Sequence, residues 1–165
     1  MDEKHSFEGS LERRERGEGA RKLHELEQSG KFVFHGSPDG EVTEFEPRQM
    51  TTYVDDVQVK DGPPGIATTP HADLAIFHAL TKDRGEGNTN FGTNDDGSIY
   101  MKASQAVLDA TKDHTAYVYV FPRSAFAPRY GDDQEMERRS EVNQRPVQVV
   151  AVTDRDLPPD INIIP

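Results

Sequence analysis

The stretch Lys31-Phe-Val-Phe-His-Gly-Ser-Pro38 decides how the rest of the chain is read. Its apolar run, Phe32 to Phe34, stops at a histidine, a glycine and a hydroxyl. A strand ending this way sets a hydrogen-bonding ring and a bare piece of backbone at one sheet edge. His35 can hydrogen-bond a ligand hydroxyl there, and Gly36 lets a ligand amide reach the main chain without meeting a Cβ. Spacing alone also fits the plainer alternative, a strand running into a turn.

Downstream, Glu41 to Phe45 reads as a short extended piece, and residues 48–64 read as a polar stretch ending in the turn signal Asp61-Gly-Pro-Pro-Gly65. Ile66 to Thr68 reads as a short strand. A helix is expected next, with Thr69 as N-cap and Pro70 in the first helical position. Ala72, Ala75, Ile76, Ala79 and Leu80 recur at helical spacing and define a core-facing stripe. Leu74, Phe77 and Thr81 form a neighbouring stripe, so Phe77 need not enter the same core. Residues 83–97 read as a long polar loop and residues 127–140 as an irregular charged one. Ser98 to Met101, Tyr117 to Phe121 and Pro146 to Val152 read as strands, Ile161 to Ile164 as an edge strand, and Ala103 to Lys112 as a short helix. Short strands, one strong helix and long loops predict an α+β domain over residues 31–165. Residues 1–30 form a charged N-terminal extension, frayed or disordered at first, then helical from Ala20 to Gln28 with Gly30 as its stop.

Composition narrows the function. Thirty acidic against 19 basic residues give a formal charge of -11 over 165 residues, which disfavours general nucleic-acid coating. The chain has no cysteine, which excludes disulfides, thiolate metal sites and a cysteine nucleophile. No run reaches the length of a membrane span and no signal-peptide stretch opens the sequence, so a cytoplasmic protein is the expectation. The six histidines are scattered, with no H-E-x-x-H pair, and no metal is expected. Nor is there a P-loop, a G-x-G-x-x-G or a G-x-S-x-G. The remaining chemistry-bearing cluster is Glu135-Met-Glu-Arg-Arg-Ser-Glu141, where a carboxylate can stabilise a cationic transition state. Most of this cluster reads as a solvated loop. Glu141 stands out because it enters the last clear strand.

Taken in order, Phe34-His-Gly-Ser37, Gly65-Ile-Ala-Thr-Thr-Pro-His-Ala-Asp-Leu-Ala-Ile-Phe-His78 and Arg139-Ser-Glu-Val-Asn-Gln-Arg-Pro-Val-Gln-Val-Val150 resemble the ADP-ribosyltransferase fold. The likeness is to its diphtheria-toxin and poly(ADP-ribose) polymerase branch. Tyr117-Val-Tyr-Val-Phe-Pro122 is similar to an inner strand of the rifamycin-modifying transferases. The resemblance covers about residues 31–153. It implies a split antiparallel sheet and NAD as co-substrate, without a metal. It places His35 on a ribose, and Gly36 and Ser37 at the nicotinamide carboxamide. Ala67 and Thr68 would stand in the cofactor wall, with Phe77 packed against the nicotinamide ring. Phe77 stands where the family has tyrosine, unless Tyr53 fills that place. Glu141 or Glu137 would be the catalytic carboxylate.

These readings imply an NAD-dependent ADP-ribosyltransferase, with a protein side chain, a nucleic-acid end or a small molecule as acceptor. A toxin of a toxin–antitoxin pair, with its antitoxin as protein partner, is one setting for such an enzyme; no membrane partner is expected. The competing expectations are an inactive NAD- or ADP-ribose-binding relative and a purely structural α+β domain.

Overall fold

The first described element, helix α1 (Glu18–Gln28), is no loose extension. In the computed structural model, which describes residues 16–129 and 135–165, Ala20 and Leu23 of this helix are buried in the largest core cluster. The frayed start expected for the first residues lies outside the described residues. Buried Asp156 holds the helix start, accepting hydrogen bonds from the Ala20 N–H at 2.8 Å and the Thr153 N–H at 2.8 Å. Helix α1 thus packs against elements that follow residue 30.

The chain continues through β1 (Phe32–Ser37), the hairpin β2 (Thr51–Val54) and β3 (Val57–Lys60), β4 (Ile66–Thr68) and helix α2 (Ala72–Thr81). Then come β5 (Thr89–Thr93), β6 (Ile99–Ser104), the short helix α3 (Gln105–Ala110) and β7 (Thr115–Pro122). Last are β8 (Ala127–Pro128), β9 (Arg138–Ser140), β10 (Gln148–Thr153) and β11 (Asn162–Ile164). The result is a mixed α+β architecture of several small, mainly antiparallel sheets, ordered β1-β7-β10, β4-β9-β8, β5-β6-β11 and β2-β3; the β6–β11 pair is parallel.

Several expectations shift. Helix α2 starts at Ala72, with His71 rather than Thr69 in the N-cap position. Thr69 is occupied elsewhere: its backbone bridges Phe34 and its Oγ1 accepts from the His71 N–H at 3.1 Å. The Ala72 N–H, left over at the helix start, donates to Glu27 of α1. The loop expected at 83–97 contains β5, the stretch at 48–64 contains the β2–β3 hairpin, and the stretch at 127–140 contributes β8 and β9. The piece expected from Glu41 to Phe45 makes only an isolated bridge, Phe45 to Gln144.

Helix α2 organises the core. Ala72, Ala75, Ile76, Ala79 and Leu80 pack with Phe34, Val118, Val120 and α1, as their spacing predicts. The neighbouring stripe is buried too. Leu74 and Phe77 belong to a separate cluster with Met101, Ala103 and Val107. A helix apolar on nearly every side is enclosed on nearly every side. Gly36 makes this packing possible. A Cβ there would overlap the Ala75 carbonyl oxygen and lie 2.7 Å from the Ala79 nitrogen. The missing side chain thus admits α2, whereas the sequence suggested that it admits a ligand. Gly36→Ala is expected to destabilise the protein by about 1–3 kcal/mol, the range for forcing extra atoms into a packed core. Urea denaturation checks this, and an unchanged midpoint contradicts the packing role.

Candidate functional site

The site follows from where β1 and β4 part. They share one antiparallel bridge, in which the Phe34 N–H donates to the Thr69 carbonyl at 2.8 Å and the Thr69 N–H returns to the Phe34 carbonyl at 2.9 Å. One step further the ladder would join Gly36 to Ala67. Instead the His35 side chain takes the Ala67 carbonyl, at 2.8 Å from Nδ1. A carbonyl only accepts, so Nδ1 carries the proton. Burial pushes the His35 pKa down, helped by nearby Lys82 and opposed by the Ala67 hydrogen bond. The neutral ring therefore presents Nε2 as a bare acceptor.

Backbone alternation does the rest. Residues along a strand direct their N–H and C=O groups alternately to opposite sides. Phe34 bonds to Thr69, away from β7, so Gly36 directs its groups the same way. No partner for them is found among the described residues. An acceptor ring and an unused amide and carbonyl thus border one cleft of about 670 Å³, within the range of small-molecule sites.

Helix α2 lines the cleft with Leu74, Ala75, His78 and Thr81, a stripe at helical spacing, and Lys82 at its C-cap extends that wall. His78 stands edge-on to Phe91 of β5, with ring centroids 4.6 Å apart. Its burial, with smaller contributions from His35 and Lys82, pushes its pKa down to about 4. Both imidazoles in the cleft are therefore uncharged at neutral pH.

The far wall carries Asp61, Arg129 and Glu137. Arg139 ties this wall together. Its Nη2 donates to Asp61 Oδ2 at 2.8 Å, its Nη1 to the Asp61 carbonyl at 2.6 Å, and its Nε to Glu137. Arg129 Nη2 donates to Asp61 Oδ1 at 2.9 Å and its Nε lies 3.9 Å from Glu137. The hydrogen bonds from Arg129, then those from Arg139, hold the Asp61 carboxyl below its ordinary range.

The expected site residues divide on this geometry. His35, Gly36, Ala67, Thr68 and Glu137 line the cleft. Ser37 faces a neighbouring cavity instead. Phe77 is fully buried in the cluster with Met101 and Val107 and lines no part of the cleft. The ring that faces the cleft from α2 is its neighbour His78, about 100° further round the helix. Tyr53 does not replace Phe77 either, since it is 70% exposed on the β2–β3 hairpin. Glu141 is exposed and lines neither the cleft nor the neighbouring cavity. It lies past the end of β9, where the chain turns with Ser140 Oγ bonded to Val142, whereas Glu137 stands just before β9 begins. The sequence reading passed over His78, Phe91, Lys82, Asp61 and Arg129. Of these only His78 left a legible signal, as the one ring with polar atoms on an otherwise apolar helix face.

Among the described residues, no group of three or more His, Asp or Glu side chains is placed to hold a metal ion. No helix among them is long and apolar enough to cross a membrane. Comparison with known protein families, curated proteins and solved structures finds no match.

The low pKa of His78 predicts a pH dependence. A histidine whose folded-state pKa lies below its unfolded value of about 6.5 favours the folded state above that pH. Its contribution is lost as pH falls from about 6.5 to about 4, amounting to about 3 kcal/mol at most. His24, whose pKa is raised by Asp73, acts in the opposite direction, so the measurement must be specific to the residue. NMR titration of the His78 ring is expected to show no protonation above pH 5.5; a midpoint near 6.5 contradicts the buried, neutral assignment.

Proposed function

We propose that the chain is an NAD-dependent ADP-ribosyltransferase with an ADP-ribosyltransferase-like split sheet. It would cleave NAD to nicotinamide and pass ADP-ribose to an acceptor. The observation that carries this reading is the pairing of the His35 Nε2 acceptor with the unused backbone amide and carbonyl of Gly36 at one cleft. A primary carboxamide is both donor and acceptor, and a strand edge that offers one amide and one carbonyl matches it. The parting of β1 from β4 after a single bridge also suits a split sheet.

Each group then has a task. Gly36 holds the carboxamide through its backbone. His78 and Phe91 flank the nicotinamide ring with neutral aromatic surface. His35 Nε2 accepts a hydrogen bond from a ribose hydroxyl. Lys82 and Arg129 supply positive charge for the pyrophosphate. When the bond between ribose and nicotinamide breaks, positive charge develops on the sugar, and the Glu137 carboxylate stabilises it. Arg139 fixes that carboxylate in place, so little reorganisation is needed at the moment of reaction. These are positioning and electrostatic tasks.

The same Arg139–Glu137 pair favours a second reading. A carboxylate already engaged by a guanidinium is a weaker stabiliser of a cation, as in a protein that binds NAD without cleaving it. Incubation with NAD and chromatography of free nicotinamide separates the two. The transferase reading predicts release, with Glu137→Gln lowering kcat at least about 100-fold, the scale for losing one such electrostatic contact, while KM changes little. Binding without release supports the second reading, and unaltered release by Glu137→Gln removes Glu137 from the mechanism.

A further inference from the structure

The hairpin of β2 and β3 contributes no residue to the three core clusters and forms a sheet of only two strands. Its register sets Val54 opposite Val57 and Thr52 opposite Val59, so these four side chains share one face. Val54, Val57 and Val59 are 55%, 61% and 37% exposed. A ribbon of two strands is marginal in water by itself, and further strands stabilise it. We propose that the free edge of β3 pairs with β3 of a second copy of this chain, antiparallel about a two-fold axis through Gln58. The inference is independent of the transferase reading.

The hydrogen-bond pattern shows which groups are free. At the base of the hairpin the Asp61 N–H donates to the Met50 carbonyl at 2.8 Å, so Asp61 turns its backbone toward β2. By alternation Val59 and Val57 do the same, and Lys60 and Gln58 turn theirs outward. Those outward groups have no backbone partner among the described residues.

The sequence Asp56-Val-Gln-Val-Lys60 is complementary to itself when read in reverse. With Gln58 on the axis, the two copies of Gln58 exchange both backbone N–H···O bonds. Val57 then lies opposite Val59 of the partner copy, in the non-hydrogen-bonded pair where side chains come closest. Asp56 lies opposite Lys60 of the partner copy. Both side chains are exposed and have no ion-pair partner among the described residues. An axis through Val59 would instead set Val57 opposite Asp61, and an axis through Lys60 would set two lysines face to face. A lysine on a strand edge commonly guards it against pairing; in the Gln58 register Lys60 meets a carboxylate instead. The charge pairs fix the register more than they add affinity. An edge of five residues buries less than the roughly 1,200 Å² of a standard interface, so the dimer is weak and depends on concentration.

The test is sedimentation equilibrium of the full chain, up to millimolar concentration, at physiological ionic strength. The wild-type mass is expected to rise from 18.5 kDa toward twice that value. Lys60→Asp and Asp56→Lys should each weaken self-association at least about fivefold, because each sets like charges opposite one another twice in the symmetric dimer. An equimolar mixture of the two variants should restore it, since each then supplies what the other lacks. Circular dichroism checks that both keep the fold. Should either fail to fold, Gln58→Cys serves in its place, because the chain has no cysteine of its own. Under mild oxidation this variant should cross-link at low concentration, while Thr51→Cys on the far edge of β2 should not. A wild-type chain that stays monomeric overturns the inference. So does a mixture no better associated than its components, or cross-linking that is equal at both edges.

Discussion

The hydrogen bond from His35 Nδ1 to the Ala67 carbonyl is the contact on which the site depends. Two strands that began to pair at Phe34 and Thr69 would ordinarily continue, and a continued ladder would consume the backbone groups of Gly36. The imidazole takes the partner that Gly36 would have used. It closes the strand edge, fixes its own tautomer and leaves an amide and a carbonyl facing a cleft. One side chain thus leaves a sheet edge open to a cleft, and it does so as a neutral ring because burial disfavours the charged form.

This edge is held rigid from behind. Helix α2 lies directly on Gly36, and its apolar faces fill two core clusters at once. Helix α1 secures α2 in turn. Glu27 accepts from the first helical N–H, and Asp73 of α2 pairs with Arg16 at 2.6 Å and with His24 at 2.7 Å. The charged sequence before residue 30, which looks expendable by composition, therefore helps fix the wall that carries His78 and Lys82.

The legible parts of the sequence were those where one local rule dominates. The apolar stripe of α2 and the strand before His35 follow from periodicity, and the mixed α+β class follows from them. The β2–β3 hairpin escaped because its turn is Asp55-Asp56, both at positive φ (50° and 63°); two-residue turns of this kind usually announce themselves with glycine. Strand β5 escaped because Thr-Asn-Phe-Gly-Thr has little strand propensity and is held by pairing with β6. At the site, His35 and Gly36 were visible because they sit on one short strand. Phe77 against His78 was not decided, since one residue is 100° of rotation and only the packed position of α2 sets which ring is core. Which of Glu137 and Glu141 lines the cleft is likewise set by the length of β9, three residues that charge pattern alone does not delimit.

The most direct test of the central claim is the amide shift of Gly36 in a ¹H–¹⁵N spectrum as NAD is added. The account predicts a saturable downfield movement of the Gly36 amide, accompanied by a change at His35 Nε2 and little change at Phe77. A spectrum in which millimolar NAD leaves Gly36 and His35 unmoved contradicts it.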